Sequence, residues 1–151
     1  MKRVSDSADK MVFHLHPRER MLLQEVLQLY PLVPAGHQKL DRHGLDATLV
    51  EGQQLLDEAL AEQRQEHRQR VRQFIEDPHT FETVTGGCHL ALTRPQMEWL
   101  LQVLNDVRVG SWLKLGAPEE EARRKTVPTE DTEPLLYAMD VCAYFQSNLI
   151  T

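Results

Sequence analysis

Two stretches of the chain alternate between apolar and polar residues, and each is followed directly by an amphipathic helix pattern. In the first, Met11 to His16 alternate and Pro17 stands at the first helical position. In the second, Cys88 to Leu92 alternate, and the segment Thr-Arg-Pro-Gln that follows has the spacing of a capping box. The doubled pattern predicts two strand–helix units, whose strands could pair as a ribbon with the helices covering one face.

Two more helices are predicted between and after these units. A long helix is expected over about residues 46–75, polar nearly all round in its middle, and a closing helix begins at about residues 132–134. The polar residues 1–10 are expected to be flexible, and the charged segment 116–132 to be a linker, with a short helical turn around Glu119 to Arg124 as the alternative. The prediction is one mainly α domain over residues 1–151, a helical bundle of four to five helices with a small two-stranded β element.

Size and charge narrow the function. A chain of 151 residues is long enough to build one core, and its net charge of −6 opposes generic nucleic-acid binding, which leaves a transcription regulator as the least favoured class. Cys88 and Cys142 lie on apolar faces, which predicts buried free thiols in a reducing compartment. The charged N-terminal residues and the short apolar runs predict no signal peptide, no membrane partner and a cytoplasmic location.

The helix that contains "NDVR" offers the main candidate for chemistry. Projected from Met97, its apolar stripe includes Arg108 and Ser111, with Asn105 at the edge. A guanidinium on a buried stripe must find acidic or carbonyl partners, so Arg108 is either a structural tie between helices or a ligand-binding residue. Asp106 points nearly opposite.

The same helix has a second apolar side, formed by Trp99, Val103 and Gly110. Either this helix lies at the centre of the fold, or its second side forms a homodimer.

The polar middle of the long helix contributes further candidates. Gln63 and His67 fall on its apolar stripe, and a polar stretch there either projects into solvent or lines a polar cleft. The candidate binding surface is therefore a cleft around Asn105, Asp106 and Arg108, with Gln63 and His67 as its lining.

The segments "LNDVR", "LKLG" and "LLYAMDVCAYFQSNLI" resemble a bacterial family catalogued as domain of unknown function 2017. The resemblance covers most of the chain in layout, with identity mainly at Trp99, Leu104, Asn105, Asp106 and Arg108. It implies an opening strand and helix, a long middle helix, a second strand leading into the "LNDVR" helix, and a closing helix. Genes of that family often lie near the gene of the ClpS protease adaptor, which implies a link to regulated proteolysis, and the family offers no catalytic residues to carry over.

Three histidines give the alternative. His14, His16 and His89 could share one strand face and bind zinc with an open coordination position, whereas a solvated strand face is the simpler interpretation. Hydrolase, metalloprotease and phosphate-loop motifs do not occur in the sequence, and no cofactor is expected. The sequence therefore predicts a non-enzymatic protein-interaction or regulatory module with a protein partner, with a metal-dependent enzyme as the alternative.

Overall fold

The structure, a computed structural model, describes residues 1–33, 47–125 and 127–150. Within these ranges the chain forms four strands and five helices. In chain order they are β1 (Lys2–Asp6), β2 (Lys10–Leu15), α1 (Pro17–Leu27), α2 (Ala47–Glu76), β3 (Phe81–Val84), β4 (Gly87–Thr93), α3 (Arg94–Lys114), α4 (Glu120–Lys125) and α5 (Glu133–Ile150).

The strands form one antiparallel sheet in the order β1-β2-β4-β3. The predicted fold class, a helical bundle with a small two-stranded β element, was therefore wrong. The two predicted strands, β2 and β4, do pair with each other, and they are the middle of the sheet. The two edge strands escaped the sequence pattern for physical reasons. Every residue of β1 is exposed, and β3 has only four residues, so neither shows a full apolar alternation. Residues 2–6, expected to be part of a flexible terminus, are held in the sheet by backbone pairing with β2.

The two halves of the sheet are related by an approximate two-fold axis. Each half is a hairpin followed by a helix with a capping box, at His16 for α1 and at Thr93 for α3. When the two segments are aligned so that His16 matches Thr93, Phe13 matches Leu90. These two residues are direct partners in the β2–β4 ladder. The repeated strand–helix pattern therefore has a structural counterpart, with the axis passing between Phe13 and Leu90.

The core lies on one face of this sheet. The buried residues of β2 and β4 pack against α1, α3 and α5, and α3 has its most extensive contacts with α5. Val103 and Gly110, on the second apolar side of α3, are buried as well. The structure thus shows α3 at the centre of the fold, and the second apolar side of α3 no longer supports a homodimer.

The long helix α2 joins this core through its C-terminal part. Val71 and Phe74 are buried, and the Phe74 ring contacts the rings of Phe81 and Trp99 with centroids 5.5 and 5.0 Å apart. The Arg70 guanidinium lies 4.8 Å from the centre of the Trp99 ring, a cation–π contact. No helix in the described ranges is long and apolar enough to cross a membrane.

Both cysteines are buried free thiols, as predicted. Burial raises the pKa of Cys142 to about 12, and the positive charge of Arg108 opposes that rise only in part. Burial also raises the pKa of Cys88. Neither thiol has the electropositive, accessible setting of a reactive cysteine.

Candidate functional site

The five candidate binding residues do not line one cleft, because α3 separates them. Asp106 faces the segment that follows α1, near the side of α2 that carries His67. Asn105 and Arg108 face α4 and α5 on the other side of α3.

Asp106 fixes the segment after α1 to α3. Its Oδ1 accepts hydrogen bonds from the backbone amides of Leu32, at 2.6 Å, and Val33, at 3.2 Å. Hydrogen bonds from amides to an ionised carboxylate are about twice as strong as those between neutral groups. One turn later, Gly110 lets the backbone of Leu32 approach, since a Cβ at that position would lie 2.8 Å from the Leu32 carbonyl carbon. Asp106 therefore has a structural role.

The same segment anchors the middle of α2. The ring of His67 stacks on the ring of Tyr30, with centroids 5.5 Å apart, and the Arg64 guanidinium donates to the Val33 carbonyl at 3.2 Å. Burial, and then the negative charge of Asp106, raise the pKa of Tyr30, while Arg70 opposes the rise. Gln63 is exposed one turn before His67. His67 is thus a packing residue of this junction, and Gln63 lies at its solvent edge.

Asn105 and Arg108 line a pocket of about 310 Å³ between α3, α4 and α5, which we call the α3–α5 pocket. Six residues line it: Asn105, Arg108, Val109, Trp112, Arg123 and Met139. The lining combines two guanidinium groups and an amide with three apolar side chains. Within the described part of the chain, no acidic residue lines this pocket.

Arg108 is exposed, and the expectation that it lies on a buried stripe was wrong. Its guanidinium donates to the neutral Oε1 of Gln146 on α5, at 3.2 Å. The reason is that the buried stripe of α3 is rotated towards Val103 and Gly110, and Leu32 of the segment after α1 packs closely on Gly110. Ser111, the other polar residue predicted in the stripe, is fully buried.

The other pocket residues are held in place by their own contacts. The Trp112 indole Nε1 donates to the Pro118 carbonyl at 2.8 Å, which ties the ring to the connection between α3 and α4. Arg123 of α4 donates to Asp140 of α5 at 3.2 Å, and the Asp140 side chain is 71% exposed. An exposed ion pair of this kind contributes roughly 0–1 kcal/mol, so it leaves Arg123 able to exchange partners.

Sequence reasoning missed Arg123 because the segment 116–132 was expected to be a linker. The short helical turn given as its alternative exists as α4, with acidic residues in its first turn and Arg123, Arg124 and Lys125 in its last. That charge order complements the helix dipole and was a readable signal.

A second concave surface, which sequence reasoning also missed, lies between α1 and α5. This α1–α5 groove has a volume of about 380 Å³, and Tyr137, Val141 and Tyr144 contribute to its lining from α5. The Tyr144 hydroxyl donates to the Glu19 carboxylate, and this bond, followed by burial, raises the pKa of Tyr144 to about 12. The two tyrosines are seven residues apart and lie off the main apolar stripe of α5. This spacing could have indicated a second apolar surface on α5.

The three candidate histidines separate as well. His14 and His89 are direct partners across β2 and β4, and their rings meet edge-on with centroids 5.7 Å apart. His16 instead caps α1, where its Nδ1 accepts the Arg18 amide at 3.2 Å. Among the residues that the structure describes, no group of three or more His, Cys, Asp or Glu side chains is arranged to hold a metal ion.

Comparison of the chain with protein-family models, with curated proteins and with solved structures gave no match.

Proposed function

We propose that the protein is a non-enzymatic interaction module that binds an acidic segment of a partner protein in the α3–α5 pocket. The observation that carries this proposal is the composition of the lining. Two guanidinium groups and three apolar side chains line the same pocket, and the partner of Arg108 in the described ranges is a neutral amide.

This composition suits a carboxylate beside an apolar side chain. Arginine presents a planar fork of donors that matches a carboxylate with two parallel hydrogen bonds. Trp112 offers a rigid aromatic surface, and tryptophan and arginine are the residues most enriched at the energetic centres of interfaces. The Gln146 contact holds the Arg108 guanidinium near the pocket without neutralising its charge.

Site-specific photocrosslinking in host cells tests the proposal. A photoreactive phenylalanine derivative replaces Asn105, which is exposed at the pocket, and in a parallel sample it replaces Tyr137 of the α1–α5 groove. We expect a partner crosslinked from position 105 through a peptide that contains Asp or Glu. Arg108→Glu should reduce the yield about tenfold or more, because like charge replaces a charge-assisted bond.

Arg72→Glu is the matched control, since Arg72 is exposed on α2 outside the α3–α5 pocket. The control should leave the crosslink unchanged. Equal yields with and without Arg108→Glu, or crosslinks that form only from position 137, would contradict the proposed site.

The link to regulated proteolysis rests on the family resemblance alone. The identity of the crosslinked partner tests it: a protease adaptor or protease subunit is the expected result, and a partner from an unrelated process would contradict that link while leaving the pocket in place.

A further inference from the structure

A further concave surface lies between the C-terminal end of α1 and the C-terminal half of α2. This α1–α2 pocket has a volume of about 350 Å³, which is enough for a small ligand. It is lined by Leu27, Gln28, Tyr30, Arg68, Val71, Arg72, Ile75 and Glu76. None of these residues lines the α3–α5 pocket, so the two pockets are separate surfaces.

The α2 side of the pocket combines charged with apolar residues. Two arginines and two aliphatic residues share one face of α2, because they follow each other at helical spacing: Arg68, Val71, Arg72 and Ile75. Val71 is buried and Ile75 is half-buried, and the buried Leu27 of α1 also lines the pocket. The lining therefore offers an apolar part beside two guanidinium groups.

The two arginines of the pocket are unpaired. Among the residues that the structure describes, neither Arg68 nor Arg72 has a hydrogen bond or an ion pair, although Glu76 is one turn from Arg72. Arg64, one turn before Arg68, donates to the Val33 carbonyl. Like charges one turn apart destabilise a helix, and a bound anion would relieve that repulsion.

The α1 side of the pocket adds two neutral polar groups. Within the described ranges the Gln28 amide and the Tyr30 hydroxyl have no hydrogen-bond partner. Burial, followed by the negative charge of Asp106, raises the pKa of Tyr30 against the opposing charge of Arg70. The Tyr30 hydroxyl is therefore protonated at neutral pH and can donate a hydrogen bond into the pocket.

The charge of the lining indicates which kind of anion fits. Arg68 and Arg72 contribute two positive charges and Glu76 one negative charge, which leaves a net charge of +1. The C-terminal end of α1 adds a partial negative charge. Both features disfavour a dianion such as a phosphate and suit a single carboxylate, which the planar fork of arginine matches with two parallel hydrogen bonds.

We propose that the α1–α2 pocket binds a small-molecule carboxylate with an apolar body. Its carboxylate lies between the guanidinium groups of Arg68 and Arg72, and its body packs against Leu27, Val71 and Ile75. Because the two pockets share no residue, this proposal stands or falls independently of the acidic partner segment assigned to the α3–α5 pocket.

An NMR titration of the ¹⁵N-labelled full chain with 3-phenylpropionate separates a ligand site from a solvated arginine face. We expect saturable shifts of the backbone amides of Gln28, Tyr30 and Arg72. Acetate, which lacks the apolar body, and 3-phenylpropanol, which lacks the charge, should each bind at least about tenfold more weakly.

Substitution of the arginines tests the assigned residues. Arg68→Gln and Arg72→Gln should each weaken binding of 3-phenylpropionate about tenfold, because each removes a charge-assisted hydrogen bond. Both variants should melt at or above the Tm of the parent protein, since the repulsion along α2 is reduced. Arg124→Gln is the matched control, because Arg124 is exposed on α4 outside the pocket, and it should leave the affinity unchanged.

Three results would overturn the site: no saturable shift at millimolar 3-phenylpropionate, shifts confined to the α3–α5 pocket, or an unchanged affinity in both glutamine variants. Tighter binding of phenyl phosphate than of 3-phenylpropionate would overturn the assignment to a carboxylate. A fall in Tm together with lost binding would make the arginines structural. Arg68→Lys and Arg72→Lys keep the charge without the planar fork, and they replace any glutamine variant that does not fold.

Discussion

Asp106 and Arg108 stand two residues apart on α3 with opposite surroundings. The Asp106 carboxylate is half-buried and accepts two backbone amides of the segment after α1. The Arg108 guanidinium is exposed at a pocket and donates to one neutral side chain. A charged side chain of α3 is thus structural or available for binding according to the partners it contacts, and its position in the helical stripe does not decide this.

The largest expected effect comes from removing the structural charge. Asp106→Ala leaves the Leu32 and Val33 amides without their acceptor, and we expect a loss of about 2–3 kcal/mol in the free energy of unfolding. For a chain of this size that is a fall of roughly 5–10 °C in Tm, measured by thermal unfolding. Asp140→Ala, on the exposed side of α5, is the control and should change Tm by about 2 °C or less. Equal losses of Tm in the two variants would contradict a special structural role for Asp106.

The next effect comes from the close approach at Gly110, on the same side of α3 as Asp106. Gly110→Ala places a methyl group 2.8 Å from the Leu32 backbone, and we expect a loss of about 1–2 kcal/mol, although alanine favours the helix. Gly52→Ala on α2 is the matched control, because its new methyl group meets no atom within 4 Å. It should gain about 0.5–1 kcal/mol in denaturant unfolding. A gain at both glycines would show that Leu32 does not pack on α3.

The smallest effect concerns Ser111, which faces the core between the two sides. Its hydroxyl is buried and, within the described ranges, has no hydrogen-bond partner. Ser111→Ala should therefore raise the free energy of unfolding by about 1 kcal/mol, since it removes a desolvated polar group and improves helix propensity. Thermal unfolding measures the gain, and a lower Tm would mean that the hydroxyl is satisfied.

The fold class was predicted wrongly, but several central elements were predicted correctly because they carry strong periodic patterns. β2, β4 and the capping box at Thr93 were all predicted, and the pattern of α3 correctly placed Ser111 in the core. The edge strands were not readable, because β1 is polar and gains its place through backbone pairing with β2. Such pairing depends on a partner strand outside the segment itself, so the local pattern of apolar and polar residues does not predict it.

The candidate site was only partly readable for a related reason. A helical projection shows which residues share a face, but the neighbouring elements decide which face is covered. Asn105 and Arg108 share a pocket with Arg123, whereas Asp106 and His67 belong to the structural junction around Tyr30. The two groups of residues are separated because residues 30–33 pack on α3 at Gly110. The periodicity of the sequence does not indicate this packing.

The most direct test of the claim that Asp106 is structural and Arg108 is a binding residue is the Tm of Arg108→Gln, measured beside that of Asp106→Ala. If Arg108 is a binding residue, Arg108→Gln should melt within about 2 °C of the parent protein, because it loses one exposed hydrogen bond to Gln146. A fall as large as that of Asp106→Ala would contradict this, and would make Arg108 a structural tie between α3 and α5.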